Sequence, residues 1–234
     1  MPIRNIQLTN GEFYHVIKRG VEERKIFLDD EDRMRFINSL LVFNDSDPTP
    51  WDMRGFWLQR DPASLRLGDY KPKNPLIEIH AFALMDNHFH ILIKQIQENG
   101  ISSFMNKLGG YSYYFNKKYK RVGPLFQGRF KAVPIETDEQ LKNTFVYVNT
   151  NPVGLIHKNW KEEGVENFEE TMKFLLEYQW SSCLNYLGKK PRSNLVQKDF
   201  FINFFGSIDD CKKEIESWLK YKVEVNKFKD VLLK

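Results

Sequence analysis

Residues 76–95 read LIEIHAFALMDNHFHILIKQ, and this stretch decides the fold. Apolar and β-branched side chains fill residues 76–85 and 88–95, and Asp86-Asn87 stands between them as a two-residue turn signal. The stretch reads as a hairpin of two strands joined by a tight turn. Upstream, residues 12–18 (EFYHVIK) form a third strand ended by Arg19-Gly20, and residues 128–136 read as a fourth. Helical patterns separate them. Residues 29–44 place Met34, Phe36, Ile37, Leu40, Leu41 and Phe43 at helical spacing behind an Asp cluster suited to N-capping. Residues 101–119 read as one helix in spite of Gly109-Gly110. Residues 137–149 read as another, with Thr137 as N-cap and Pro152 as its stop. The order β-α-β-β-α-β-α is that of a split βαβ unit. It predicts an α+β fold: a ferredoxin-like or RRM-like antiparallel sheet with helices on one face.

Two segments lie outside that pattern. Residues 45–75 hold five prolines with Trp51 and Trp57 among them, and read as an irregular insertion with a short helix near 63–67. After Pro152 the chain turns helical, at 167–178 and 209–223, with a polar connector at 185–199. The expected organisation is a domain over residues 1–153 and a helical C-terminal appendage over 154–234.

Composition excludes several classes. The 234 residues are 41% hydrophobic, 15% aromatic and 28% charged, which suits a packed domain and not a disordered chain. No run of eighteen apolar residues is present and the N-terminus lacks an apolar signal core, so the expectation is a cytoplasmic protein with no membrane partner. Cys183 and Cys211 have neither metal spacing nor a disulfide framework, and read as buried thiols of a reducing compartment.

The chemistry-bearing residues sit on this frame. His88 and His90 are two apart on a strand, so both imidazoles face the same way. Tyr147 and Asn151, in TFVYVNTNPV (residues 144–153), are four apart on a helix and also share a face. Two imidazoles and an amide oxygen suffice for a small site for a divalent metal ion, Mg²⁺ or Mn²⁺, and a phenol beside it is a nucleophile next to its electrophile activator. Each element has a plainer reading: a solvent-facing histidine pair, a tyrosine packed in the core, an asparagine at a helix end. His80, on the neighbouring strand, is a candidate partner to the pair, whereas His15 and His157 have no local support. Only the conjunction of the elements carries the chemistry.

Charge distribution points to a partner. The net charge is a modest +4, but no acidic residue occurs between Glu98 and Glu136. That segment holds Lys107, Lys117, Lys118, Lys120, Arg121, Arg129 and Lys131, interleaved with Tyr111, Tyr113, Tyr114, Phe115, Tyr119, Phe126 and Phe130. Cations for phosphates and aromatic faces for unpaired bases make up a single-strand binding surface. The competing reading gives the aromatics to the core.

Taken together, YHVIKRG (14–20), MDNHFHIL (85–92), YFNKKYKRVGPLFQGRFK (114–131), YVNTNPV (147–153) and YQWSSCLNYLG (178–188) resemble the HUH single-tyrosine transposases of insertion sequences, most closely their REP-associated branch. The resemblance runs from about residue 12 to 188. It implies that Tyr147 is the nucleophile and that His88, His90 and Asn151 hold the metal. It also implies that Arg19 and the segment with Gln127, Arg129 and Lys131 lie along DNA, single-stranded or hairpin, handled by a monomer or homodimer. The chain departs from the family at Asp86, where proline is common, and at 151–160 (NPVGLIHKNW), where a basic segment is usual. The implied reaction is metal-dependent cleavage and transfer of single-stranded DNA through a 5′-phosphotyrosine. A replication-initiator or relaxase-type nickase shares that chemistry, and a non-catalytic nucleic-acid-binding module shares only the sheet.

Overall fold

The computed structural model describes residues 7–47, 70–189 and 194–232. The short helix expected near 63–67 lies outside them. Four strands form one antiparallel sheet: β1 (Phe13–Arg19), β2 (Ile77–Leu84), β3 (His88–Gln95) and β4 (Lys131–Ile135), in the order β2-β3-β1-β4. This is the split βαβ order, with β3 inserted between β2 and β1. Register places Ile17 of β1 opposite His90 on one side and Lys131 on the other, and Arg19 opposite His88. Directly opposed residues point to the same face, so Lys131, Ile17 and His90 form one row and Arg19 and His88 the next. β4 is shorter than the strand expected over 128–136, because Gly128 takes a left-handed φ of +56°. Pro134 is tolerated in β4 because that strand is an edge.

Helix α1 (Asp30–Val42) begins at Asp29, whose carboxylate accepts the Asp32 N–H at 2.8 Å. The single helix expected over 101–119 is two, α2 (Gly100–Leu108) and α3 (Tyr111–Lys118). Gly109 and Gly110 keep helical angles, but the turn tightens to i→i+3 hydrogen bonds, as from Gly110 N–H to Lys107 O at 3.1 Å. A Cβ at Gly109 would lie 2.9 Å from Asn106 O, so the tight turn depends on glycine.

The helices expected on one face are α1 to α3. Phe36 of α1 packs on Phe89 of β3 with ring centroids 4.8 Å apart, and Tyr111 of α3 packs on Phe36 at 5.2 Å. The aromatics of the acid-free segment serve this layer. Tyr111, Tyr114, Phe115 and Phe126 are buried, while Tyr113 is 45% exposed. Most of the stacking platform read from the sequence is therefore core.

The opposite face is also covered, in part, by α4 (Asp138–Thr150) and the C-terminal segment, because α4 carries apolar residues that need a partner of their own. Phe145 of α4 packs 4.2 Å from Phe201 and 4.7 Å from Tyr186. The C-terminal segment holds α5 (Trp160–Glu163), α6 (Phe168–Glu177), α7 (Cys183–Tyr186), α8 (Lys198–Phe205) and α9 (Ile208–Leu232). Helix α8 begins inside the stretch read as polar connector. Its aromatics enclose His80, which is fully buried against Phe13, Phe200 and Phe201 and so is no partner of the histidine pair. The motif at 178–188 is a staple. Ser182 Oγ accepts the Phe82 N–H at 2.9 Å and donates to Asn149 Oδ1 of α4 at 2.7 Å, and Ser181 bridges Ala83 at the open edge of β2. Cys183 and Cys211 are free and buried, as expected. Among the described residues no helix is long and apolar enough to cross a membrane.

The ends of the 45–75 insertion are drawn together by Asp45, which accepts the N–H groups of Lys73 at 2.7 Å and Asn74 at 3.2 Å. Asn44 in turn accepts Leu76 and Ile77 N–H and donates to Ile77 O. Lys107 of α2 donates to the Asp45 carbonyl, so this cation is committed to the fold.

Lys118 is committed more strongly. Its ammonium lies 2.8 Å from Asp29, 3.0 Å from Glu31 and 2.9 Å from Asp32, the last fully buried. Burial alone would depress this lysine, but hydrogen bonds to Asp29, Asp32, Tyr114 and Glu31 outweigh it and hold its pKa above the ordinary value. Lys118→Met should leave the Asp32 carboxylate buried without its charge partner. We expect a loss of about 3 kcal/mol in urea unfolding. A loss below about 1 kcal/mol, the range of exposed pairs, would show that the cluster is effectively solvated.

Candidate active site

The face of the sheet left partly open by α4 carries a pocket of about 400 Å³. Ile17, Arg19, His88, His90, Tyr147, Asn151, Lys158, Trp160, Lys161 and Glu162 line it. The structure thus brings together the strand pair, the helical tyrosine and the amide one turn on. Tyr147 stands edge-on to His90 with ring centroids 5.5 Å apart, and the His88 and His90 rings are 4.9 Å apart.

Each histidine has one ring nitrogen engaged. His88 Nδ1 is 2.6 Å from Asn87 Oδ1 in the hairpin turn. His90 Nδ1 is 2.8 Å from His15 Nε2. If Nδ1 is the donor in both, each Nε2 keeps a lone pair, and Asn87 and His15 set the ring orientations. His90 Nε2 and Asn151 Nδ2 are buried with no hydrogen-bond partner, and a half-turn of the amide would present its oxygen instead. Burial, together with the Arg19 and Lys161 charges, pulls His88 down to about 4. His15 is likewise drawn to about 4 by burial, Lys161 and Lys131. Burial, with His15 and His88 beside it, takes His90 well below the ordinary imidazole value. All three are therefore neutral at pH 7, the form in which imidazole binds metal. Among the described residues no group of three His, Cys, Asp or Glu is placed to hold a metal ion. A site here has to use the Asn151 amide and leave positions open, and an open position is what a substrate oxygen needs. The donor set fits a divalent ion.

The turn that carries the histidines is tied down from below. Asp86 pairs with Arg33 of α1 and with Lys25, both at 2.8 Å, and its carbonyl accepts the Ile26 N–H. Asp86 thus anchors the hairpin to α1 by charge. Gly20 follows Arg19 because a Cβ there would meet Arg24 O at 2.3 Å. The chain at 125–127 runs alongside: Val21 N–H donates to Leu125 O and Gln127 N–H donates to Arg19 O.

The expected DNA contacts divide. Arg19 lines the pocket, paired at 2.9 Å with exposed Glu23, and Lys131 shares the histidine face. Gln127 is exposed beside Arg19. Arg129 lines a separate groove of about 500 Å³ with Lys18, Asn106 and Phe130. Lys107 and Lys118 are held by backbone and carboxylates as described, and Arg121 by Asn116 at 2.9 Å. Lys117 lies in the last turn of α3, which packs on the face opposite the pocket, and Lys120 lies just beyond that helix; both are exposed.

Two site residues escaped the sequence reading. His15 shows in retrospect as the alternate neighbour of Ile17 and Arg19 on β1, but only the register puts it against His90. Lys161 donates to the Tyr147 hydroxyl at 2.6 Å from fourteen residues downstream, across an irregular turn, and no spacing rule could have found it.

The pocket lies on the central strands of the split βαβ sheet, with the tyrosine of α4 beside the paired histidines of β3. Residues 70–151, which hold His88, His90, Tyr147 and Asn151, match the model of the family described as "Transposase IS200 like". A solved structure described as a REP-associated tyrosine transposase bound to a REP hairpin is 12% identical, with a TM-score of 0.47 over 82% of this chain and 88% of that one. No curated protein matches the chain.

Proposed function

We propose that this protein is a DNA strand transferase that cuts and rejoins single-stranded or hairpin-bearing DNA through a 5′-phosphotyrosine on Tyr147. One observation carries the reading: the phenol of Tyr147 opens into the same pocket as two neutral imidazoles with engaged Nδ1 atoms and a buried amide whose nitrogen has no partner. A divalent ion held by His88, His90 and Asn151 would act there as a Lewis acid on the scissile phosphate. Asn87 and His15 keep the imidazoles turned to the pocket. Arg19 faces the phosphate with positive charge. Tyr147 Oη forms a bond to phosphorus as the bond to the 3′ oxygen breaks. The phenol gives up its proton and the 3′ oxygen takes one. Reversal by a 3′-hydroxyl re-forms a DNA phosphodiester. One phosphoester replaces another at each step, so no external energy source is needed.

The test is direct. Single-stranded DNA from the flanks of the protein's own gene is incubated with the protein and Mn²⁺ and run on a denaturing gel. A covalent protein–DNA band that disappears with a chelator is expected. A free cut strand with no protein attached would replace this reading with simple hydrolysis.

The charge geometry makes a second expectation. Arg19 and Lys131 share the histidine face, so Arg19→Ala with Lys131→Ala should flatten the salt dependence of binding by about 1.4 log units per log salt, at roughly 0.7 per single-strand contact. Lys117→Ala with Lys120→Ala should change it less, since both leave from the other helical layer. Equal slopes in the two double variants would place the DNA track along α3 instead.

A further inference from the structure

The proposed reaction requires the Tyr147 oxygen to be aimed at a phosphorus, and α4 alone does not aim it. A tyrosine hydroxyl at the end of a ring is free to follow the ring's rotation unless something holds it. Resting on the reading above, we propose that Lys161 is a catalytic residue of this site, which holds the nucleophilic oxygen of Tyr147 and then stays beside it as the phosphotyrosyl group forms.

The contact is specific on both sides. Lys161 Nζ is 2.6 Å from Tyr147 Oη and lies 4.8 Å from the centre of the same ring. The lysine therefore fixes both the oxygen and the ring that carries it. The ammonium has donors only, so Tyr147 Oη must accept from it and keeps its own proton and second lone pair for the pocket. His90 and His15 close the other sides of the ring at 5.5 Å and 5.7 Å.

The lysine is itself placed with care. The chain leaves α4 through a 3-10 turn, Asn151–Leu155, and reverses at His157, whose N–H donates to Val153 O. Trp160 is 2% exposed and packs 3.4 Å from where a Cβ on Gly154 would stand. Gly164, at φ +84°, ends the short helix α5. Lys222 of α9 donates to the Lys161 carbonyl at 2.5 Å, and the Val165 N–H donates to Lys222 O at 3.2 Å. The long C-terminal helix thus clamps the backbone of the residue that touches the nucleophile. This gives the appendage a part in the chemistry.

Lys161→Met tests it, because methionine keeps most of the stem over the Tyr147 ring and deletes the donor. Single-turnover cleavage of the gene-flank strand with Mn²⁺ should fall about 100-fold, the scale of losing one preorganised donor. Affinity for the same strand without Mn²⁺ should stay within about twofold, and Lys161→Arg should recover to within about tenfold of the parent rate. A rate within about threefold of the parent in Lys161→Met overturns the proposal. So does an equal loss in rate and affinity, which would make Lys161 an ordinary phosphate contact, or an arginine variant as slow as the methionine one. Absence of any adduct from the parent protein would instead remove the strand-transfer reading, and this inference with it.

Discussion

Tyr147→Phe should abolish the covalent adduct while leaving the protein folded and bound to DNA. The substitution deletes one oxygen. The ring keeps its edge contacts with His90 at 5.5 Å and His15 at 5.7 Å, so packing in the pocket is unchanged. What is lost is the one Lys161 hydrogen bond, which at an exposed position is worth no more than about 1 kcal/mol. Without Oη no phosphoester to the protein can form there, and we expect cleavage to fall at least about 10⁴-fold. Affinity for single-stranded DNA should remain within about twofold, some 0.4 kcal/mol. Denaturing gels for the adduct and a binding isotherm without metal read the two effects separately. Normal adduct formation would move the nucleophile elsewhere. The structure then leaves Tyr113 as the next candidate in the acid-free segment, since the Tyr111 hydroxyl is given to Ile26 O and that of Tyr114 to buried Asp32.

Replacing both histidines should have the second largest effect. In His88→Ala/His90→Ala the two Nε2 donors vanish and only a neutral amide remains, which by itself does not hold a divalent ion. Calorimetric Mn²⁺ binding should disappear, and metal-dependent cleavage should drop at least about 10³-fold. The cost to folding is modest but real. His90 is 3% exposed, so its removal leaves space beside Tyr147 and strips His15 of its partner. A loss of about 1–2 kcal/mol is expected from packing of this kind. Asn151→Ala should weaken metal use less, because an amide oxygen is one neutral donor among three. An unchanged Mn²⁺ isotherm in the double-histidine variant would place the metal elsewhere on the chain.

The strands and the helices that cap them were legible because their signals are local. Asp86-Asn87 marks the hairpin by turn chemistry. Asp29 and Thr137 cap helices through side chains that reach N–H groups three residues on, at 2.8 and 3.2 Å. The period of two on β3 puts His88 and His90 on one face in any antiparallel sheet. The break at Gly109-Gly110 was less legible, since two glycines weaken a helix without saying whether it bends, tightens or stops. The basic segment was legible only as composition. Lys118 and Lys131 look alike in sequence, yet one sits among three carboxylates and the other in the row of His90.

What the sequence by itself determined about this protein is the split βαβ order, the shared face of His88 and His90, and the shared face of Tyr147 and Asn151. Periodicity alone places each pair. The tertiary structure decided which face met which. It set the register that opposes Ile17 to His90 and so brings His15 to the histidine pair. It folded the chain after Asn151 back over α4, so that Lys161 reaches Tyr147. It buried most of the aromatics that composition offered to DNA. The physical reason is the same in each case. Side-chain direction along one element follows from backbone geometry. Contact between elements depends on how their apolar faces are covered, and on hydrogen bonds whose partners lie tens of residues away.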